Sequence, residues 1–178
     1  MVKIQSSKSK VGFTLIETLV YLTIISILVV AFVGFSISIS KTRNKAYVIQ
    51  EVQANARTAL DLISREIRAA TGVNIESSTF DSDPGVLSLI MANSEENPTI
   101  IDLDSDDGFL QIRRGTDDPV VITNNKVKVV NLVFTNLTPL AANRENIRIE
   151  MTVRYNDDSG GAGYGYSYNL RTAVSLRQ

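Results

Sequence analysis

The chain has 178 residues, contains neither Cys nor His, and carries a net charge of −1. Those absences exclude disulfides, Cys- or His-ligated metal sites, and catalysis that needs a His base or a Cys nucleophile. The charge is uneven: residues 1–71 carry nine Lys or Arg against four Asp or Glu, and residues 72–178 nine against fifteen, so the C-terminal part is acidic and lacks the basic surface of a general nucleic-acid binder.

Met1 to Gly12 is short and polar, with Lys3, Lys8 and Lys10 as its only charges. Phe13 to Ser40 is apolar apart from Ser, Thr, Gly, Tyr21 and one acid, Glu17. Thr18 to Ile39 holds no charge at all, which supplies the roughly 20 apolar residues that a helix needs to cross a bilayer core. The buried helix of a globular domain rarely runs uncharged for so long. A secretory signal has an apolar region of about 7–15 residues with a small residue after it. Here the small residue, Gly12, comes before the apolar run, so cleavage at Gly12 leaves the helix on the mature protein. Lys3, Lys8 and Lys10 flank one end of the run and Lys41, Arg43 and Lys45 the other, so the positive-inside rule does not decide the orientation.

Two residues stand out within this segment. Glu17 lies at the edge of the apolar run, and an acid in a membrane helix costs about 2.5–3.5 kcal/mol at the centre and less near the interface. Either it sits solvated at headgroup depth, or it has a positive partner in an assembled state. Gly34 costs about 1 kcal/mol relative to Ala inside a helix. It reads as a point of close helix packing or as a hinge.

The run Gly12-Phe13-Thr14-Leu15-Ile16-Glu17, behind a short basic leader and ahead of a long apolar helix, resembles the prepilin processing site of type IV pilins and type II secretion pseudopilins. The resemblance covers Lys10 to Ile39. It implies a leader at 1–12, cut after Gly12 by a prepilin peptidase that also N-methylates the new terminus, Phe13. It implies that Glu17 pairs with the N-terminal amine of a neighbouring subunit, and that the N-terminus is cytoplasmic on a single-pass chain whose C-terminal domain is outside. The implied partners are the peptidase, other pilin or pseudopilin subunits, the inner-membrane assembly platform and the lipid bilayer, with no cofactor. Related pilins often break the helix in this region, which is what keeps the hinge reading of Gly34 beside that of close packing. An α-amino group has a reference pKa of about 8 and is largely protonated at neutral pH. An opposite charge within about 4–6 Å favours both charged forms, and an unpaired Glu17 disfavours wrong registers.

Beyond the membrane segment (13–39) the helix is expected to continue as an amphipathic stretch over 40–71. Ile49, Val52, Ala56, Leu60, Ile63, Ile67 and Ala70 recur in steps of three and four, with Gln50, Gln53, Arg57, Asp61, Ser64 and Arg68 on the other side. Thr71-Gly72 reads as the stop, with Gly72 in the left-handed conformation. Strands follow at Val86 to Met91, Ile100 to Leu103, Phe109 to Arg113, Val120 to Thr123, Val127 to Thr135, Ile147 to Tyr155 and Tyr166 to Leu176. Ile147, Ile149, Met151 and Val153 alternate with Arg148, Glu150, Thr152 and Arg154. Turn residues fill the connections, and the Gly-rich segment Asp157 to Gly165 reads as a mobile loop. The fold class is α+β: a long N-terminal helix packed on an antiparallel sheet formed by 72–178.

This outer half resembles, loosely, minor pilins of the PilW type and J-type pseudopilins, through the segment ending ALDLISREIRAA and the closing strand TAVSLRQ. With no Cys, the disulfide-closed loop of many major pilins is ruled out. Asp102, Asp104 and Asp106 place acids at alternate positions, a spacing that suits Ca²⁺. An EF-hand needs Gly at its sixth position and Glu at its twelfth, where this chain has Asp107 and Arg113, so the segment reads as a solvated acidic turn. No acid–base or nucleophile–base pair is recognisable, and an enzyme is not expected. Two other readings stay open: a membrane-anchored β-domain that never polymerises, and a competence-pilus subunit for DNA uptake.

Overall fold

The computed structural model describes residue 12 and residues 14–104, 107–139, 144–157 and 165–177. The chain divides into two compact units between Arg43 and Asn44. One helix, α1 (Leu15–Ala69), contributes to both.

In the first unit no apolar side chain of α1 is buried. Five of its hydroxyls are turned inward on the helix itself. Thr18, Thr23, Ser26, Ser40 and Thr42 donate to the carbonyls of Leu15, Val20, Leu22, Ser36 and Ser38 at 2.7–3.0 Å. A helix in a medium without hydrogen-bond partners must satisfy its polar groups in this way.

In the second unit α1 supplies one wall of a hydrophobic core. Val48, Val52, Ala56, Ala59, Ile63, Ile67 and Ala70 form its buried seam. The seam differs from the expected one in three respects. Val48 and Ala59 are buried, whereas Ile49 and Leu60 are half-buried at its border, and Ser64, expected on the polar side, is only 7 % exposed. Ala56 and Ala59 are small, and a seam centred on small residues lets a helix approach a sheet closely.

The strands form two antiparallel sheets where one was expected. The first is a five-stranded meander of β1 (Gly72–Val73), β2 (Leu87–Ile90), β3 (Thr99–Leu103), β4 (Leu110–Arg114) and β5 (Val120–Val121), in that order. The second comprises β6 (Val127–Asn136), β7 (Asn146–Tyr155) and β8 (Ser167–Ser175), with β7 in the middle. Ile147, Ile149, Met151 and Val153 of β7 are fully buried and join Leu132, Phe134, Leu87, Leu89 and Ile101 in the core with the α1 seam. The division between sheets falls at β5. Ile122 still donates its N–H to Leu110, but Leu110 returns its N–H to the Thr123 hydroxyl at 3.1 Å instead of to a strand carbonyl. The ladder stops there, which also shortens the strand expected over Val120 to Thr123. The outer edge of β6 is then closed by loops of the first sheet: Gly85 N–H donates to Leu132 O, Asp81 N–H to Phe134 O, and Val129 N–H to Gly108 O.

Side-chain bonds fasten α1 to the loops around it. Asn124 donates to Glu51 Oε1 at 2.5 Å, and Lys126 Nζ donates to Tyr47 Oη at 2.5 Å while lying 5.2 Å from the centre of its ring. The Asn124 bond holds the Glu51 carboxyl below the usual carboxylate range, and the Tyr47 hydroxyl holds Lys126 above its ordinary value. Near the other end, Arg114 on β4 pairs with Glu66 at 2.5 Å.

Gly72 does not end the helix in the left-handed conformation. It is the first residue of β1, a strand absent from the sequence-based expectation, and its φ is not positive. The chain leaves the helix by pairing at once with β2: Thr71 donates both its N–H, at 2.8 Å, and its hydroxyl, at 2.9 Å, to Ile90 O. The glycine that needs its freedom is Gly115, with φ +53° and a position where a Cβ would stand 2.1 Å from Glu95 O. The segment 158–164 of the expected Gly-rich loop lies outside the described residues. These two glycines yield opposite expectations for thermal unfolding of the purified chain. Gly115→Ala destabilises by at least about 1–2 kcal/mol from the left-handed backbone alone, with the clash on Glu95 added. At Gly72 the nearest atom to a Cβ is Ile90 Cδ1, at an ordinary 3.5 Å. Gly72→Ala is therefore neutral or stabilising by about 0.4–1 kcal/mol.

Candidate processing and assembly site

The N-terminal end of α1 is organised by Thr14. The N–H of Glu17 donates to the Thr14 hydroxyl at 3.3 Å and to its carbonyl at 3.1 Å, and Thr18 N–H donates to the same carbonyl at 3.2 Å. Thr14 is thus the N-cap, and it satisfies a backbone donor that the helix leaves unpaired. Sequence reasoning missed this role, although Thr14-Leu15-Ile16-Glu17 spells the S/T-x-x-E pattern of a capping box.

The Glu17 carboxylate, which in a full capping box turns back on the N-cap, accepts the Tyr21 hydroxyl at 3.4 Å. Glu17 and Tyr21 stand one turn apart, so this contact was readable from their spacing. A carboxylate in the first turn is favoured by the positive end of the helix dipole. Its two oxygens offer about four acceptor positions, so the Tyr21 bond leaves most of its capacity for a cation.

Gly12 is exposed, and a Cβ there would meet no heavy atom within 4 Å. Nothing in the described packing of this chain calls for glycine at that position. Phe13 lies outside the described residues. Gly34 sits within α1, which continues as helix on both sides of it, and a Cβ there would also meet nothing within 4 Å.

Asp102 lies on β3 and Asp104 just after it, both half-buried, while Asp106 lies outside the described residues. The Asp104 backbone closes the β3–β4 turn: its N–H donates to Phe109 O and its carbonyl accepts Gly108 N–H. Among the described residues no three acids gather where a metal ion would sit.

Among the described residues α1 is the one helix long and apolar enough to cross a membrane. Its apolar window is wholly uncovered by the rest of the chain. Residues 9–33 match the family model of the prokaryotic N-terminal methylation motif. No curated protein and no solved structure gave a significant match. The capped helix start, the acid in its first turn and the bare apolar surface behind it thus lie on a segment that carries the prokaryotic N-terminal methylation motif, the signature of type IV pilins and pseudopilins.

Proposed function

We propose that this chain is a structural subunit, a minor pilin or pseudopilin, of a type IV pilus or type II secretion-like filament. The leader 1–12 stays on the cytoplasmic side, 13–39 crosses the membrane once, and 40–178 lies outside. Prepilin peptidase cuts after Gly12 and methylates Phe13. The helix then moves from the bilayer into a filament core made of the same segments of neighbouring subunits.

The observation that carries this reading is the apolar surface of α1, uncovered on every side and with one acid at its head. Burying a Leu, Ile, Val or Phe side chain is worth about 1.5–3 kcal/mol, so a surface with so many of them bare must be covered by lipid or by other helices. The same surface serves in both settings, because lipid tails and a bundle of apolar helices are alike in polarity. Gly12, with no packing role in this chain, suits a peptidase that needs a residue without a side chain at the cut. Gly34, with open space around it, lets a neighbouring helix come close.

Glu17 supplies register. In the bilayer it lies near the interface, where the burden of its charge is small. In the filament core it is matched by the protonated N-terminal amine of the adjoining subunit. A subunit that stops at the wrong height leaves both charges unpaired in an apolar interior, at a cost of several kcal/mol per ion.

Two outcomes follow. N-terminal mass spectrometry of the protein from its host finds a mature chain beginning at methylated Phe13; a start at Met1, or one beyond Ile39, is incompatible with the proposal. Glu17→Val inserts and is processed as the unaltered chain is, but its recovery in sheared filaments falls at least tenfold relative to the processed membrane pool. Normal incorporation of Glu17→Val removes Glu17 from assembly, and a processed chain that never enters filaments in either form is a non-polymerising anchor.

A further inference from the structure

Lys41 and Arg43 are the first charged residues after the uncharged run that ends at Ile39. Both are exposed, and neither takes part in the ion pairs found among the described residues. Their places on α1 are informative. At about 100° per residue, positions 41 and 43 are roughly 200° apart, so the two cations leave the helix on nearly opposite sides. A protein that docks on one face of a helix meets one of them, whereas a medium that surrounds the helix meets both. The apolar residues just before them show the same all-round exposure, at Val29, Val30, Phe32, Val33, Phe35 and Ile37. The hydroxyl of Thr42, between the two cations, is folded back on Ser38 O at 3.0 Å. Lys41 and Arg43 are therefore the outward-reaching polar groups of that turn.

We infer that Lys41 and Arg43 form a collar that binds the phosphates of anionic phospholipid headgroups, on the face of the membrane from which the β-domain emerges; this rests on the membrane reading proposed above. The chemistry suits that partner. Both side chains have apolar stems that lie along the hydrocarbon boundary while the charged ends reach the headgroups. Arg offers a fork of donors that matches a phosphate, and Lys a compact charge. The collar matters more once the leader is gone. Loss of residues 1–12 removes Lys3, Lys8 and Lys10, which are all the side-chain cations at the other end of the apolar run. The processed subunit is then held at its depth by side-chain cations from one end only.

A Lys or Arg beside an anionic surface changes affinity about fivefold, so two together give a preference on the order of 30-fold at most. The chain contains no Trp, so Ile39→Trp places a single reporter at this end of the apolar run. The full chain carrying it is reconstituted into phosphatidylcholine vesicles with a minor fraction of phosphatidylglycerol, and bromine is placed on one lipid or the other. The expected result is that brominated phosphatidylglycerol quenches the Trp several-fold more, mole for mole, than brominated phosphatidylcholine. Lys41→Gln with Arg43→Gln brings that ratio close to one, and free glycerol phosphate at millimolar concentration leaves the native ratio unchanged. Equal quenching by the two lipids with the cations in place overturns the collar. So does an undiminished preference in the double variant, even where that variant is lost from filaments, because groups other than Lys41 and Arg43, such as Lys45, then hold the anionic lipid. Loss of the preference on adding glycerol phosphate shows a free-anion site and also overturns it. Quenching by neither lipid puts the helix outside the bilayer and refutes the membrane reading itself, a result distinct from the rest.

Discussion

A helix that is apolar on every side, with a carboxylate in its first turn, needs an apolar cover that the described residues of this chain do not provide. From Leu15 to Ile39 no apolar side chain of α1 is covered. Intrahelical bonds satisfy the hydroxyls of Thr18, Thr23 and Ser26, so these side chains ask nothing polar of their surroundings, and Glu17 is the one charge in the segment. On the proposed function, lipid meets the apolar demand before assembly and neighbouring helices meet it afterwards. Only the second setting has to provide a cation. In that proposal the carboxylate adds little to attraction between subunits and much to the choice among their relative heights.

The same helix plays a different part from Val48 onward. There its seam is closed by the two sheets, and polar bonds from the β5–β6 turn and from β4 hold its other faces. The side chains of Tyr47, Glu51 and Asn55 recur every four residues, and each meets Asn124 or Lys126. A change of environment along a single helix thus follows a change in its sequence, from uniformly apolar to amphipathic with polar residues at regular spacing.

Most of this was legible in the residues because it rests on local periodicity. The uncharged run gave an uncovered apolar helix long enough to cross a membrane, the steps of three and four gave an amphipathic helix, and the alternation through Ile147, Ile149, Met151 and Val153 gave a half-buried strand. What escaped depends on partners distant in sequence. The seam settled one residue to the side, on Val48 and Ala59, because the sheets decide which border of a broad apolar stripe is covered. β1 is two residues long and is defined by its pairing with β2, flanked by the bonds of Thr71 to Ile90 O and of Asn74 to Ser88 O. The split into two sheets hangs on one Thr123 hydroxyl that replaces a backbone acceptor. At the N-terminal site the order is reversed: the Thr14 cap and the Glu17–Tyr21 contact are local and readable from spacing, yet they were missed because the same residues also fit the Gly12-Phe13 to Glu17 processing pattern.

The proposed assembly requires that Glu17 meet the N-terminal amine of another polypeptide. A carbodiimide joins a carboxylate to an amine only when the two are in contact, without adding a spacer. Filaments in which this chain alone is labelled with ¹⁵N, treated with carbodiimide, digested and analysed by mass spectrometry, distinguish contact within a chain from contact between chains. The account predicts a mixed-isotope linkage that joins a Glu17-containing peptide of one polypeptide to the N-terminal residue of another. A linkage of a single isotope, or none in filaments that contain the subunit, would contradict it.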